Sequence, residues 1–154
     1  MSDVFDDEAL VVLERRIDRW LTAIAAGGGV PVESIERGEG DTRRWYVRLR
    51  GEDKEFTTVW LTLGQRTLRY ETYVMPAPEE NAGTLYEHLL RRNERLVGAH
   101  FSIGIEDAVF LRGELPVGAL DEAELDRAIG TLYATVEQCF QALLRIGFAS
   151  HFPA

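Results

Sequence analysis

The segment from Arg66 to Asn93 changes its hydrophobic period near its middle, and this change limits the folds open to the chain. Over Leu68–Val74, apolar residues alternate with polar ones, which is typical of a half-buried strand. After Pro76 and Pro78, apolar residues recur every three or four positions, as on one face of a helix. Because proline has no N–H donor and cannot continue a strand ladder, the sequence predicts a strand ending at the prolines and a helix over about 81–97.

Composition and charge restrict the class of protein. The 154 residues are 45% hydrophobic, which predicts a single globular domain over residues 1–154. With 26 acidic against 17 basic residues, the net charge of −9 repels phosphate groups, so we expect neither a nucleic-acid partner nor a membrane partner. The acidic opening MSDVFDDEAL has no secretory leader pattern, and no apolar run approaches the ~18 residues that span a bilayer. We therefore expect a cytoplasmic protein.

Periodicity and turn residues predict the remaining elements. A first helix is expected over about 6–26, stopped by Gly27-Gly28-Gly29, and a last helix begins at a capping box opened by Asp121 and ends at Gly147. The predicted strands are about Val30–Arg37, Arg43–Arg50, Glu55–Leu63, Thr67–Val74, His100–Ile105 and Ala108–Leu115. Short Gly- and Asp-containing turns between strands indicate antiparallel neighbours. The predicted fold class is α+β in the order α-β-β-β-β-α-β-β-α, a largely antiparallel sheet with helices mainly on one face.

Two surfaces are candidates for contact with other proteins. One face of the predicted sheet is apolar, whereas the other carries aromatic residues interleaved with arginines, a mixture common at interaction surfaces. The candidate protein-binding residues on this face are Tyr46, Arg48, Trp60, Arg69 and Tyr73. Two other interpretations stay open: a solvated or helix-covered face with cross-strand Glu–Arg pairs, and a platform that stacks nucleobases. The helix after the prolines has a broad apolar stripe, which makes Tyr86, Leu89, Leu90 and Asn93 candidates for a homodimer interface.

The sequence shows no constellation that supports catalysis. His88, His100 and His151 lack partners at metal-ligand spacing, and the triple glycine has no Lys-Ser/Thr after it to form a phosphate loop. Cys139, the only cysteine, lies in an apolar helical pattern and is expected to be buried. The sequence therefore predicts no enzyme, with no catalytic, metal-binding or cofactor-binding residues.

Five sequence segments resemble the YbjN-domain family of bacterial sensory transduction regulators, in its actinobacterial form. The segments are Trp45–Arg48, Glu71–Asn81, Leu89–Asn93, Gly104–Val109 and Arg145–Ser150. This resemblance implies a fold similar to that of the dimeric class I type III secretion chaperones, small acidic proteins that hold other polypeptides. It also implies a role in stress-linked regulation through protein contacts. The family has no established catalytic residues to transfer to this chain.

Two functions of different classes follow from these observations. The first is a non-enzymatic, chaperone-like or adaptor protein that binds a protein segment, and the second is a sensor of a small molecule or nucleotide. A polar pocket between helices and sheet favours the sensor, whereas an exposed apolar groove favours the adaptor.

Overall fold

A computed structural model describes residues 5–153 as three α-helices and a six-stranded antiparallel sheet. The helices are α1 (Asp7–Gly27), α2 (Ala82–Asn93) and α3 (Glu122–Gly147). The strands are β1 (Val32–Arg37), β2 (Arg44–Arg50), β3 (Phe56–Leu63), β4 (Thr67–Met75), β5 (His100–Ile103) and β6 (Val109–Pro116). Their order in the sheet is β1-β2-β3-β4-β6-β5, because α2 carries the chain from β4 past the position of β6 to the far edge. The predicted α+β class and element order are confirmed.

Two predictions extend beyond the described residues. The acidic opening, on which the leader prediction rests, includes residues 1–4, which the structure does not describe. The single domain over residues 1–154 and the cytoplasmic location both stay predictions. Within residues 5–153, none of the helices combines the length and the apolar character needed to cross a bilayer.

The core lies between one face of the sheet and helices α1 and α3. Its best-buried side chains include Leu13, Ile17, Leu21, Trp45, Val47, Leu49, Val59, Leu61, Leu111, Ile129, Leu132 and Val136. Polar contacts fix both helices on this face: the Trp45 indole N–H donates to Asp18 of α1 over 2.7 Å, and the Tyr133 hydroxyl of α3 donates to the Arg50 carbonyl over 2.9 Å. Each buried methylene contributes about 0.8 kcal/mol, so this layer is the main source of stability.

The helix termini follow the capping signals in the sequence. The carboxylate of Asp121 accepts the Glu124 amide over 2.8 Å, which confirms the predicted start of α3. Asp6 accepts the Ala9 amide in the same way at the start of α1. Gly28 caps the other end of α1 with a φ of 72°, a left-handed conformation that glycine adopts without a steric penalty.

The double-proline junction is attached to the end of α3. The amides of Glu79 and Glu80 both donate to the Gly147 carbonyl, over 3.0 and 3.1 Å, and the Asn81 side chain donates to the Ile146 carbonyl over 3.0 Å. Pro78 lies so close to Gly147 that an added Cβ there would stand 3.1 Å from the proline ring. The junction thus satisfies carbonyls that the last turn of α3 leaves free.

The structure corrects two boundaries. The helix predicted over about 81–97 ends at Asn93. The amides of Arg95 and Leu96 both donate to the Arg92 carbonyl, so the regular succession of helical hydrogen bonds stops there. The strand predicted over His100–Ile105 ends at Ile103, since a 3-10 turn follows in which the Asp107 amide donates to the Gly104 carbonyl and the Ala108 amide to the Ile105 carbonyl. Strand alternation predicts that Ile103 and Ile105 face the core, but Ile105 is 76% exposed and Ile103 is half exposed.

Cys139 is expected to be chemically inert in the folded protein. Its side chain is fully buried among core residues of α3, and burial raises the pKa of the thiol to about 11. Because the thiolate is the reactive form, a disulfide reagent should label the native protein very slowly and the denatured protein quickly. Absorbance at the reagent's product band measures both rates. Rapid labelling of the native chain would contradict the burial.

Candidate functional site

The sheet face opposite the helices carries a continuous row of aromatic side chains. Register pairs Tyr46 with Trp60 and Tyr73 with Phe110, which places all four on this outward face. The ring centroids of Tyr46 and Trp60 are 6.3 Å apart, those of Trp60 and Phe110 6.2 Å, and those of Phe110 and Tyr73 5.7 Å, all in edge-to-face arrangements. Such contacts stabilise aromatic pairs beyond their buried area. We call this row, with its flanking arginines, the aromatic platform.

Phe110 is the centre of the aromatic platform and is only 2% exposed, although no helix lies on this face within the described chain. Its ring is covered by the Arg112 guanidinium, 4.5 Å from the ring centroid, and by the backbone at Gly104. A Cβ at Gly104 would lie 2.4 Å from the Phe110 ring, so only glycine permits this approach. The platform therefore has a small core of its own.

A carboxylate holds the arginines of the platform in place. Glu71 is 7% exposed and accepts a bond from Arg112 Nε over 3.0 Å, with Arg69 Nε 3.6 Å away. Arg112 also donates to the Ser102 hydroxyl over 3.1 Å. The two guanidinium groups share one carboxylate, which leaves a net positive charge. Charge-assisted bonds of this kind fix the geometry of a planar guanidinium.

The other end of the platform presents arginines without acidic partners. Arg44 donates to the Thr62 hydroxyl over 3.0 Å, and Arg48 lies 3.7 Å over the Phe56 ring. Neither has a carboxylate within 4.0 Å among residues 5–153. Glu36 and Glu114 also lie on the outward face, next to Tyr46 and Arg69 in the register. Arg48 is therefore an exposed charge on an otherwise strongly acidic chain.

Lys54 attaches the β2–β3 loop to the edge of the platform. Its ammonium donates to the carbonyls of Tyr73 and Val74 over 2.7 and 3.2 Å, and it lies 5.4 Å from the Tyr73 ring centroid. At these two carbonyls the ladder is interrupted on both sides, since β3 pairs with β4 only as far as Thr72 and the β4–β6 register shifts between Tyr73 and Met75. Burial lowers the pKa of Lys54 to about 8. On the α3 side, the Glu137 carboxylate accepts the consecutive amides of residues 52 and 53.

A second feature is an apolar groove of about 250 Å³ between α2 and β5. Its lining residues are Tyr86, Leu89, Leu90, Asn93, Phe101, Ser102 and Ile103. Leu90 is 69% exposed, although it is a large apolar residue. The structure thus brings together the four candidate dimer residues, on one side of one groove. We call this surface the α2–β5 groove.

A polar cleft of about 570 Å³ lies beside the end of α2, against α3. It contains Arg91, Arg92, Arg95 and Glu94. Arg92 Nε donates to His88 Nε2 over 2.9 Å, and burial together with this guanidinium lowers the pKa of His88. Among the described residues, no three of the His, Cys, Asp and Glu side chains are grouped as metal ligands.

The five residues predicted to bind protein share the outward face. Tyr46 and Trp60 are half-buried, Arg48, Arg69 and Tyr73 are exposed, and each is within the platform or at its rim. Their role as a binding site stays a prediction.

Sequence reasoning missed three parts of the site. Ser102 and Gly104 contact platform residues from β5 and the turn after it, and Lys54 does so from the β2–β3 loop. The one sequence signal that could have drawn attention to Lys54 is its status as the only lysine among 17 basic residues.

Comparison with known proteins identifies the family to which the sequence is similar. The family model YbjN, described as "Putative bacterial sensory transduction regulator", matches residues 18–145. A Mycobacterium tuberculosis protein described as uncharacterized is 36% identical over 104 residues, which cover 68% of this chain and 57% of that protein. A Mycobacterium leprae protein described in the same way is 33% identical over 107 residues, covering 70% and 58%. The chain thus spans a little over half the length of these curated relatives.

Solved structures with a similar fold come from type III secretion systems. The ExsC–ExsE complex contains a chain that matches with a TM-score of 0.59 and 18% identity, over 85% of this chain and 96% of that one. The heterodimeric ExoU–SpcU complex of Pseudomonas aeruginosa contains one with a TM-score of 0.55 and 17% identity, over 82% and 96%. At this level of identity the likeness establishes a shared type III secretion chaperone-like fold.

Replacement of Glu71 by alanine should destabilise the platform. The change leaves Arg112 without its carboxylate and uncovers Phe110, so we expect the free energy of unfolding to fall by about 1–3 kcal/mol in chemical denaturation. Glu114→Ala is the matched control, since Glu114 is an exposed glutamate on the same face with no ion pair closer than 4.0 Å in the described chain. The control should change stability by no more than about 0.5 kcal/mol. Equal effects of both variants would refute the role of Glu71.

Proposed function

We propose, since the chain belongs to the YbjN family, that it is a non-enzymatic adaptor that binds a polypeptide segment of a partner protein in a stress or signal response. The observation that carries this proposal is the aromatic platform, a pre-arranged surface of aromatic and arginine side chains with no helix over it in the described structure. Aromatic and arginine residues dominate the binding energy of protein interfaces.

The platform has the two properties that a peptide-binding surface needs. Its rings are fixed by edge contacts and by the Glu71–Arg112 pair, so little side-chain entropy is lost when a partner binds. Arg48 and Arg44 supply unpaired positive charge at one end, which favours a segment with carboxylates. We therefore propose that the segment lies across β2 and β3 and directs an acidic side chain toward Arg48.

Structures of similar fold support the general form of this proposal. ExsC is described in complex with ExsE, and SpcU in complex with ExoU, each a complex of two different proteins. The family description as a sensory transduction regulator supports a regulatory setting for such binding.

The sensor alternative is less well supported by the geometry. It requires a ligand cavity between the helices and the sheet, yet most side chains that meet there, such as Val47, Val59 and Leu132, have no exposed surface. A cavity between the start of α3 and the sheet, lined in part by Tyr70 and Glu124, measures only about 210 Å³, which is small for a ligand site. The α2–β5 groove opens to the surface and has few polar groups to orient a small molecule.

Replacement of Arg48 by alanine should weaken peptide binding without unfolding the protein. The probe is a fluorescent 12-residue peptide selected on the wild-type protein from a random display library, and its Kd is measured by anisotropy. Loss of one central interface arginine should raise that Kd by about 10- to 30-fold, while the Tm shifts little because Arg48 is exposed.

Arg16→Ala provides the matched control, because Arg16 is an exposed arginine on α1, across the molecule from the platform. It should leave the Kd unchanged. Equal weakening by both variants would show that the effect is general electrostatics, and failure of every library to yield a binder would refute the proposed activity.

We also propose that two copies associate through the α2–β5 groove. The support is the exposed position of Leu90 next to half-buried Tyr86, since an apolar patch of this kind on a charged protein marks an interaction surface. In an antiparallel pairing of two α2 helices, the glutamates near its start would face the arginines near its end. Those charged residues are Glu79, Glu80, Glu87, Arg91, Arg92 and Arg95.

Light scattering should report twice the 17.4 kDa chain mass for the wild-type protein at micromolar concentration. Leu90→Arg places a charge in the proposed interface and should reduce the mass to that of one chain. Val12→Arg, a similar change at an exposed apolar residue of α1, should leave the mass unchanged. A monomeric wild-type protein would refute the homodimer.

A further inference from the structure

The sheet has two free edges, and the chain protects them differently. The β1 edge is preceded by Pro31, is irregular between Val32 and Ser34, and carries the charged residues Glu33 and Glu36. Proline, bulges and charge are common devices that prevent strands of other molecules from pairing with an edge. The β5 edge has none of them among its four residues, His100–Ile103.

The exposed backbone of β5 is instead bonded to one side chain. The Phe101 amide donates to Asn93 Oδ1 over 2.7 Å, and Asn93 Nδ2 donates to the Phe101 carbonyl over 3.2 Å. Asn93 is the last residue of α2, so its side chain reaches the edge from the helix end. A side-chain amide has the same donor and acceptor as a peptide group, and here it takes the place of a paired strand.

The direction of these two bonds shows which side of β5 the backbone groups of Phe101 face. In an antiparallel ladder, alternate residues direct both backbone groups to the same neighbouring strand. Since both groups of Phe101 bond to Asn93, they face away from β6, and the backbone groups of Ile103 face the same free edge. A strand added at this edge would have to hydrogen-bond to the Phe101 amide and carbonyl, which the Asn93 side chain already occupies.

We infer that Asn93 keeps the β5 edge closed to strand pairing with a second copy of this chain. A second copy suits the edge because two antiparallel β5 strands related by a two-fold axis would present the same apolar residues, Phe101 and Ile103, to each other. No carboxylate or arginine occurs within β5 to oppose this contact. The inference does not rest on the proposed homodimer, although both involve the end of α2 and β5. The homodimer uses side chains that line the α2–β5 groove, whereas strand pairing uses the backbone groups of β5.

Asn93→Ala tests the inference in both the wild-type and the Leu90→Arg backgrounds, so that α2-mediated association cannot mask the result. Removal of the side chain should open the edge and raise the mass measured by light scattering above that of the parent at equal concentration. Hydrogen exchange by NMR should show the Phe101 amide exchanging about five- to tenfold faster in dilute protein, because one hydrogen bond is lost. Its protection should return as concentration rises, which a purely structural role of Asn93 would not produce.

Two further variants make the outcome decisive. Asn93→Ala/Ile103→Pro should return to the parent mass, since proline removes the outward amide next to Phe101 on the same edge. Glu94→Ala, a change at the exposed residue next to Asn93 that touches no β5 hydrogen bond, should behave as the parent. If Asn93→Ala folds but keeps the parent mass at every concentration, or if the proline variant fails to reverse its association, the inference is overturned.

Discussion

The burial of one sheet face under α1 and α3 is the constraint on which the rest of the structure depends. It requires every second residue of β2, β3 and β4 to be buried, and all of these are apolar or aromatic except Thr57 and Thr72. It also holds both long helices on the same side. Trp45 contributes both to the apolar layer and to the attachment of α1, because its ring is buried while its indole N–H donates to Asp18 of α1. The junction at Pro78 completes this layer by closing the end of α3. With both helices on one face, the opposite face has to be stabilised by its own side chains.

The outward face achieves this stability with a polar network and an aromatic row. Glu71 is buried without any helix above it, because Arg112 and Arg69 surround its carboxylate and Trp60 lies directly beside it in the register. Phe110 is protected by Arg112 and by the close approach of Gly104. These contacts order the aromatic platform before any partner arrives, so the feature that stabilises the face also prepares it to bind. Under the proposed function, stability and recognition would have the same physical cause.

The three proposed interaction features of the surface differ in chemistry, and two of them adjoin, since Asn93, Phe101 and Ile103 belong both to the α2–β5 groove and to the β5 edge. The aromatic platform offers rings and positive charge, the α2–β5 groove offers apolar area, and the β5 edge offers backbone groups that Asn93 occupies. If the platform binds an acidic segment as proposed, its unpaired arginines would add selectivity to a chain with a net charge of −9. Closure of the edge would keep self-association from extending the sheet while the platform stays free. Binding and assembly can then be altered by different substitutions.

The sequence alone determined the element types, the antiparallel class and the two faces of the sheet, because hydrophobic period and turn residues are local properties. It also placed Tyr46, Trp60 and Tyr73 on one face, since alternation along a strand fixes the direction of each side chain. Only the tertiary structure decided that Asn93 ends α2, where its amide meets Phe101, and that Ile105 leaves the sheet in a 3-10 turn. It likewise decided the burial of Phe110, which depends on the close approach of the Gly104 backbone across the β5–β6 turn and on the guanidinium of Arg112 in the same strand. These residues are near one another in the chain, but the contacts depend on the path of the turns between them, which no hydrophobic period encodes.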